Sequence, residues 1–386
     1  MILSALLRRR APAVLAAVWL AAVSGCGTAP ASAPGAATPS SLPDRLTDAE
    51  FQRLRTDLRE PNGDFHADNF ASNEAGVAEI AARLGAGVKG GAYIGVGPEQ
   101  NFTYIAAVRP SIAFIVDIRR QAAIQHLLFK ALFEMSEDRA EFLARLFVRD
   151  RAAGLGRYET IRLLWSVFGA EPGSTDARYD RALAEVTSHL TGRRGLALDS
   201  VDLSLLDYVY RAFVTLGPSI TYGGYDRRLP SGGMNFMTLT LAYDERGTRR
   251  SFLATDADYQ FVRQMHERNL IVPIEGDLAG PVTIRGIAGY LRSHGAVVSV
   301  FYPSNVEQYL FGPVPTMAGS LNQNGGAPAF YENLGVLPTT PASVLVRAQL
   351  KRASRELVPM CSIELLVAAA KAGRVRSFEE SLRCVR

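Results

Sequence analysis

The sequence predicts an α/β fold built around a mainly parallel sheet. Residues 92–121 have the pattern of a strand, a glycine turn, a helix and a second strand, in that order. Residues 270–302 contain a strand, an acidic residue, a helix and another strand. Strands that alternate with helices in this way form parallel sheets, because each crossover helix returns the chain to the end where the first strand began.

The first unit opens on a glycine turn. Residues 92–94 form a short apolar run that leads into Gly95 and Gly97, which are separated by a single valine. Residues 101–108 have helical character. This helix is expected to end before Pro110, because a residue that precedes proline disfavours the α conformation.

The second strand of this unit ends on an acidic residue. Residues 112–116 are continuously apolar, which is typical of a strand buried on both faces. Asp117 follows, twenty residues after Gly97. In nucleotide-binding βαβ units the glycines let the backbone approach the ligand, and such an acid accepts a hydrogen bond from a ribose hydroxyl.

These residues resemble the first two motifs of the class I S-adenosylmethionine-dependent methyltransferases. Gly95 and Gly97 match the first two glycines, Glu99 stands where a third often falls, and Asp117 matches the ribose-binding acid. The resemblance implies a Rossmann-like three-layer sandwich that binds S-adenosylmethionine. The chain departs from the pattern at Tyr93, where the family usually has an acid that contacts the amino group of the methionine end.

Two other interpretations of the glycine turn remain open. A dinucleotide-binding turn has a third glycine where this chain has Gln100, whose side chain would crowd a pyrophosphate. An NAD-binding oxidoreductase is therefore a weaker match. The turn is also compatible with an ordinary connection in an α/β sheet.

The second unit resembles the fourth and fifth strands of the methyltransferase sheet. Residues 271–274 form the first strand, and Pro273 within it indicates an edge position or a bulge. Asp277 follows this strand, and residues 296–302 form the next one. The resemblance implies that Asp277 contacts the methyl acceptor or takes part in catalysis.

Asn305 and Glu307 follow the later strand of this unit. Because the carboxyl ends of parallel strands share one edge of a sheet, both residues are expected near Asp277. Asp277 or Glu307 is therefore the candidate catalytic residue that orients the acceptor. The alternative is that Asn305 and Glu307 merely cap a helix.

The N-terminus resembles the signal peptide of a bacterial lipoprotein. Three arginines at residues 8–10 precede an apolar run at residues 13–23, and a lipobox-like Val-Ser-Gly-Cys ends at Cys26. A membrane-spanning anchor is the alternative, but the apolar run is too short to cross a bilayer. The resemblance implies that residues 1–26 direct export and that diacylated Cys26 anchors the protein to the lipid bilayer of the cell envelope.

A disordered linker is expected between the anchor and the folded domain. Residues 27–46 are rich in Ala, Pro, Ser and Thr and nearly uncharged. The domain, residues 47–386, is predicted to begin at a helix that is capped by Thr47 and Glu50.

The segment before the first strand contains several acidic and polar residues. Asp64, His66, Asp68 and Glu74 suggest a metal site, but their spacing does not fit a calcium loop. A capped loop before the helix at residues 77–84 is the favoured interpretation. Since this helix leads directly into the first strand, the loop is expected near the mouth of the cofactor crevice.

The remaining segments show weaker patterns. Helical patterns fill residues 136–215, which we interpret as an inserted helical subdomain, although some of these helices could flank the sheet. Residues 236–255 alternate like a β-hairpin, and residues 312–343 have the composition of a long irregular segment. A late strand is expected at residues 344–346 and a late helix at residues 363–370.

Cysteine usage and charge narrow the functional classes. An oxidising envelope location favours a Cys361–Cys384 disulfide, with two free thiols as the alternative. No CxxC motif occurs and the five histidines are scattered, so no metal site is predicted. Without the signal-peptide arginines the chain carries 39 basic and 38 acidic side chains, which gives no support for nucleic-acid binding.

The sequence therefore predicts a methyltransferase-like envelope lipoprotein with a small-molecule ligand in its crevice. One physical objection keeps a second hypothesis open: the cofactor is made in the cytoplasm, whereas a lipobox exports the protein. The second hypothesis is a non-catalytic binding or scaffold lipoprotein that uses the same fold, because fold does not fix function. An NAD-binding oxidoreductase is the third.

Overall fold

The computed structural model describes residues 41–386 except residues 62, 64, 66, 75, 152, 169–174, 224–233, 313–325, 348–359 and 384–386. The predicted signal peptide, Cys26 and most of the linker lie outside the described residues, as do Asp64, His66 and Cys384. No helix in the described part of the chain is long and apolar enough to cross a membrane.

The fold is α/β, with one mixed six-stranded sheet. The strands are β1 (Ala92–Gly95), β2 (Ile112–Asp117), β3 (Ile271–Glu275), β4 (Val298–Ser304), β5 (Val344–Arg347) and β6 (Met360–Ser362). Their order across the sheet is β3-β2-β1-β4-β5-β6. The first five strands are parallel to their neighbours, and β6 is antiparallel to β5.

Helices connect and cover these strands. They are α1 (Asp48–Asp57), α2 (Val77–Gly87), α3 (Gln100–Val108), α4 (Arg120–Met135), α5 (Arg139–Leu146), α6 (Ile161–Phe168), α7 (Asp176–Ser188), α8 (Ser200–Leu216), α9 (Phe236–Leu241), α10 (Asp256–Glu267), α11 (Thr283–Ser293), α12 (Val306–Leu310), α13 (Gly326–Gly335), α14 (Ile363–Lys371) and α15 (Phe378–Ser381). Residues His189–Arg193 extend α7 as a short π-helix.

The first predicted unit is confirmed as β1-α3-β2. All six residues of β2 are buried, as expected for a continuously apolar strand covered on both faces. Helix α3 ends at Arg109, which takes the left-handed conformation (φ 53°) directly before Pro110. The capping box that Thr47 and Glu50 form at the start of α1 is also confirmed.

The predicted positions of the later strands in the sheet were wrong. Strand β3 pairs with β2, so it takes the place of the third strand of the methyltransferase sheet and not of the fourth. Strand β4 pairs with β1, so it takes the place of the fourth strand and not of the fifth. Pro273 lies in β3, which is an edge strand as predicted. The crossovers β1-α3-β2 and β3-α11-β4 run in opposite directions, so right-handed connections place α3 and α11 on opposite faces. This arrangement is compatible with a Rossmann-like sandwich.

The region between α4 and α9 is helical, as its pattern indicates. Helices α5, α6, α7 and α8 occupy it, and α8 packs against α4, which itself contacts β2 and β3. Helix α4 is buried along most of its length because it lies between the sheet and this outer helical layer. The late strand β5 and the late helix α14 are also confirmed.

Two local predictions were wrong. Residues 236–241 form helix α9 and not a hairpin strand, because Asn235 and Thr238 make a capping box that starts a helix. Only an isolated bridge between Tyr243 and Arg249 marks the turn that follows. The segment 312–343 is not irregular throughout, since α13 lies within it and packs against α11 and α14.

Candidate functional site

A crevice opens at the carboxyl ends of β1 to β4. Its cavity volume is about 80 Å³. The order of the strands reverses between β1 and β4, and in open α/β sheets ligands bind at this switch point. The described residues that line the crevice are Phe65, Asn69, Ser72, Asn73, Glu74, Val96, Gly97, Pro98, Gln100, Val116, Asp117, Ile118, Arg119, Tyr222, Gly276, Asp277, Leu278, Ser304, Asn305, Val306 and Tyr309.

The glycine turn forms the floor of the crevice and is firmly held. Asn101 Nδ2 donates hydrogen bonds to the carbonyl oxygens of Val96, Gly97 and Pro98 at 2.9–3.1 Å. Gly97 has a φ of 89°, a conformation that L-residues rarely adopt, and a Cβ there would lie 2.8 Å from Gln100 Nε2. The turn is therefore rigid and closely approached by its neighbours.

Gly95 lies behind the crevice. A Cβ on this residue would lie 2.0 Å from Asn101 Oδ1, so glycine is required for the asparagine to reach the turn. Tyr93 supports the same asparagine, since its hydroxyl donates to Asn101 Oδ1 at 2.7 Å. The role of Gly95 in this structure is thus to fix the turn and not to border the ligand space.

Asp117 lies in the crevice together with Arg119. Asp117 Oδ1 accepts hydrogen bonds from the backbone N–H and Nε of Arg119, at 3.0 and 3.2 Å, and Oδ2 accepts one of 3.3 Å from the same guanidinium. Arg119 also donates to the carbonyl oxygens of Ala67 and Asp68. A carboxylate offers about four acceptor positions, so these contacts leave Oδ2 able to accept one more hydrogen bond.

Asp277 lies on the same rim, after β3. Its Oδ1 atom accepts a hydrogen bond of 2.8 Å from the backbone N–H of Ala279, and its own N–H donates to Glu60. Burial raises the pKa of Asp277, and the nearby Glu60 carboxylate raises it further. A carboxyl with a raised pKa in a crevice is suited to general acid–base chemistry.

Glu74 comes from the loop before α2 and faces the end of β4. Its Oε1 atom accepts a hydrogen bond of 2.8 Å from Ser304 Oγ. Burial raises the pKa of Glu74. The sequence singled out Glu74 only as a possible metal ligand, although its loop was correctly expected near the mouth of the crevice.

Glu99 lies behind the glycine turn and outside the crevice lining. It is the N-cap residue of α3, and both of its carboxyl oxygens accept from the backbone N–H of Ser72, at 3.2 and 3.3 Å. Burial raises the pKa of Glu99 to about 8, and the neighbouring Glu74 carboxylate contributes to this shift. Glu99 therefore joins the crevice wall to the turn but does not itself border the ligand space.

The structure brings Asn305 to the crevice but not Glu307. Glu307 is 1% exposed and forms a buried ion pair with Arg347 of β5, and Tyr331 of α13 donates a hydrogen bond to it. Its side chain contacts β5 and α13 and does not line the crevice. Its contacts are those of a structural carboxylate.

Aromatic side chains form the remaining wall. The ring of Phe65 packs edge-on against Tyr222 and Tyr309, with centroid distances of 6.5 and 5.6 Å. The guanidinium carbon of Arg119 lies 5.4 Å from the centre of the Phe65 ring. Such a wall offers apolar faces on which a flat ring system can pack.

The charges at the crevice are unbalanced. Among the described lining residues, Glu74, Asp117 and Asp277 are acidic, and Arg119 is basic. Arg119 is already paired with Asp117. When all are ionised, the lining carries two more negative than positive charges.

Two further observations concern cysteine and metals. Cys361 is disulfide-bonded, and its predicted partner, Cys384, lies outside the described residues.

In the ranges that the structure describes, no group of three or more His, Cys, Asp and Glu side chains is arranged to hold a metal ion.

Comparison with known proteins identifies a family without an assigned activity. A family model described as a domain of unknown function, DUF7790, matches residues 69–191 and 237–362, and the chain belongs to this family. The matched segments contain β1 to β4, the glycine turn, Glu74, Asp117 and Asp277. The comparison with curated proteins finds no match.

Proposed function

We propose that the crevice binds S-adenosylmethionine and that the protein is a methyltransferase-like lipoprotein of the cell envelope. The observation that carries this proposal is the excess of carboxylates around a glycine turn at the switch point of the sheet. S-adenosylmethionine has a positively charged sulfonium, an ammonium group and one carboxylate, so its net charge is +1. A carboxylate-rich crevice attracts such a ligand.

The same charges disfavour a dinucleotide. The pyrophosphate of NAD would lie against the glycine turn, where the side chain of Gln100 donates to the Val96 carbonyl and narrows the space beside Gly97. It would also face the carboxylates of Glu74 and Asp277 without an unpaired cation among the described lining residues. Like charges at short range are strongly unfavourable in a partly buried site.

Asp117 is the residue proposed to hold the ribose. Its Oδ2 atom retains one acceptor position beside the Arg119 guanidinium, which orients the carboxylate from behind. The aromatic wall of Phe65, Tyr222 and Tyr309 is available for the adenine ring.

Asp277 is proposed to act on the methyl acceptor. When bound, S-adenosylmethionine supplies an electrophilic methyl group on a sulfonium. Asp277 accepts a hydrogen bond from the acceptor, orients it, and takes its proton as general base, for which a raised pKa is favourable.

The location proposed for the protein rests on the N-terminal sequence. The lipobox that ends at Cys26 favours export and diacylation. The disulfide at Cys361 supports an oxidising compartment, since disulfides persist mainly outside the cytosol.

Because of the expected export, a second candidate is a lipoprotein that holds the adenosyl ligand without turnover. The two candidates share the crevice and differ only in chemistry. Methyl transfer from labelled S-adenosylmethionine to envelope extracts separates them. Binding without transfer favours the second candidate.

The experiment that tests the proposal is calorimetry of the mature, unacylated chain with S-adenosylmethionine, S-adenosylhomocysteine and NAD. We expect both adenosyl ligands to bind and NAD to bind far more weakly. Asp117→Ala removes a charge-assisted hydrogen bond and should weaken adenosyl binding by about ten- to a hundredfold. Glu332→Gln, which changes an exposed carboxylate on α13, is the matched control. Absence of adenosyl binding at millimolar concentration would overturn the proposal.

A further inference from the structure

Glu74 presents a buried carboxylate oxygen at the crevice. While Oε1 accepts from Ser304, the Oε2 atom is buried and makes no hydrogen bond of regular geometry in the described part of the structure, although the nearby Tyr302 hydroxyl lowers the pKa of this carboxyl against the effect of burial. Leaving a buried carboxylate oxygen without a donor is costly. A ligand that brings a donor to this oxygen removes that cost.

The loop that carries Glu74 is fixed to the glycine turn. The backbone N–H of Glu74 donates to Ser72 Oγ at 3.2 Å, and the backbone N–H of Ser72 donates to Glu99. Glu99 directly follows Pro98 and is the N-cap residue of α3. The carboxylate of Glu74 is therefore held in position before any ligand arrives.

Glu74 and Asp117 lie on opposite sides of β1. Asp117 ends β2, Ser304 ends β4, and β1 lies between these two strands. Neighbouring strands are about 4.8 Å apart, so the two ends of the crevice are separated by about 10 Å. A ligand with its ribose at Asp117 crosses the glycine turn of β1 and extends toward Glu74.

We propose that Glu74 binds the ammonium group at the amino-acid end of the ligand. This inference rests on the proposed function, because it needs an adenosyl ligand with an amino-acid end. The strand position that normally supplies an acid for this contact is Tyr93, whose hydroxyl is occupied by Asn101. Glu74 provides a carboxylate from the preceding loop instead, and its Oε2 atom accepts a charge-assisted hydrogen bond.

Ligand binding is then coupled to a proton. Among the described residues, the ionisable groups around Glu74 are the Glu99 carboxyl and the hydroxyls of Tyr93, Tyr104, Tyr222 and Tyr302, and none of these groups carries a positive charge. An ammonium group beside Glu74 stabilises its ionised form. Where the free protein holds Glu74 protonated, binding releases a proton, so affinity rises with pH through the raised pKa of Glu74.

The test compares two probes with the same adenosine part, using the mature, unacylated chain. S-adenosylhomocysteine has the amino-acid end, and 5′-methylthioadenosine lacks it. Glu74→Gln should weaken S-adenosylhomocysteine binding by about ten- to a hundredfold and change methylthioadenosine binding by less than about twofold. Asp117→Ala should weaken both. The glutamine oxygen can still accept from Ser304 Oγ, so the loop is expected to keep its conformation.

Calorimetry in two buffers of different ionisation enthalpy provides a second readout. Proton release on binding S-adenosylhomocysteine should occur in the original chain and disappear in Glu74→Gln, and Glu74→Asp should retain part of both effects. If Glu74→Gln weakens both probes equally, or neither, the inference is wrong while the proposed function stands. If neither probe binds the original chain, the proposed function fails and the inference fails with it.

Discussion

Glu99 gives the protein a pH-dependent stability that one substitution should remove. Its carboxyl is 2% exposed, and its described hydrogen bonds come from the Ser72 backbone. Burial raises its pKa to about 8, and the nearby Glu74 carboxylate adds to this effect. Glu99→Gln keeps the shape of the neutral acid and cannot ionise.

The expected magnitude follows from proton linkage. In the unfolded chain a glutamate has a pKa of about 4.3. Between that value and about 8, the folded protein therefore holds a proton on Glu99 that the unfolded chain has lost. The free energy of unfolding then falls by about 1.4 kcal/mol for each pH unit. Between pH 5.5 and 7.5, the effect of Glu99 should lower the free energy of unfolding by about 2–3 kcal/mol.

The assay is urea unfolding of the original chain and Glu99→Gln at pH 5.5, 6.5 and 7.5. The free energy of unfolding of Glu99→Gln, relative to that of the original chain, should rise by about 2–3 kcal/mol from pH 5.5 to pH 7.5. Glu332→Gln, at an exposed site, should show no pH-dependent difference from the original chain. Since Glu74 also has a raised pKa, only the difference between the two chains isolates Glu99. A difference that stays constant from pH 5.5 to 7.5 would refute the reasoning.

Two further predictions concern other parts of the chain. Arg347→Met should lower the free energy of unfolding, measured in urea, by about 3–5 kcal/mol, because it leaves the buried Glu307 without its cation. The double variant Arg347→Met with Glu307→Gln should recover much of this loss. If the single and double variants are equally unstable, the prediction is wrong. Cys26→Ser should abolish labelling by radioactive palmitate and release the protein from membranes, because it removes the predicted acylation site; continued membrane retention would indicate a spanning helix instead.

Local sequence patterns were sufficient for the first βαβ unit. A short apolar run that is rich in β-branched and aromatic residues and follows Pro110 indicates a buried strand, and β2 is buried throughout. The same reasoning failed at α9, where alternation over six residues does not separate a strand from a helix. The deciding signal was Asn235 three residues before Thr238, which forms a capping box.

Sheet positions and side-chain directions could not be derived from local patterns. The position of β3 beside β2 depends on pairing between segments more than 150 residues apart in sequence. Asp277 reaches the predicted rim from β3 because the carboxyl ends of all parallel strands share that rim. Glu307 does not, since its direction depends on Arg347 and Tyr331, which lie 40 and 24 residues away.

The same distinction explains why local patterns did not indicate Glu74 as the proposed ligand contact. The methyltransferase pattern assigns the ammonium contact to a residue within the glycine motif, and Tyr93 cannot make it. The structure brings a loop residue to the neighbouring strand end, where Ser304 positions it. A contact of this kind depends on three segments of chain and leaves no periodic signal in any one of them.

The two buried glutamates link stability to the proposed function. Burying Glu74 and Glu99 costs folding free energy, because burial disfavours the ionised form of each and the Glu74 carboxylate further disfavours ionisation of Glu99. No stabilising cation accompanies Glu74 among the described lining residues, since Arg119 is paired with Asp117. A cationic ligand would supply the missing charge, and its binding would relieve a cost that the empty crevice carries. A local loss of stability is typical of functional sites, and this cluster would favour a cationic ligand of the kind proposed.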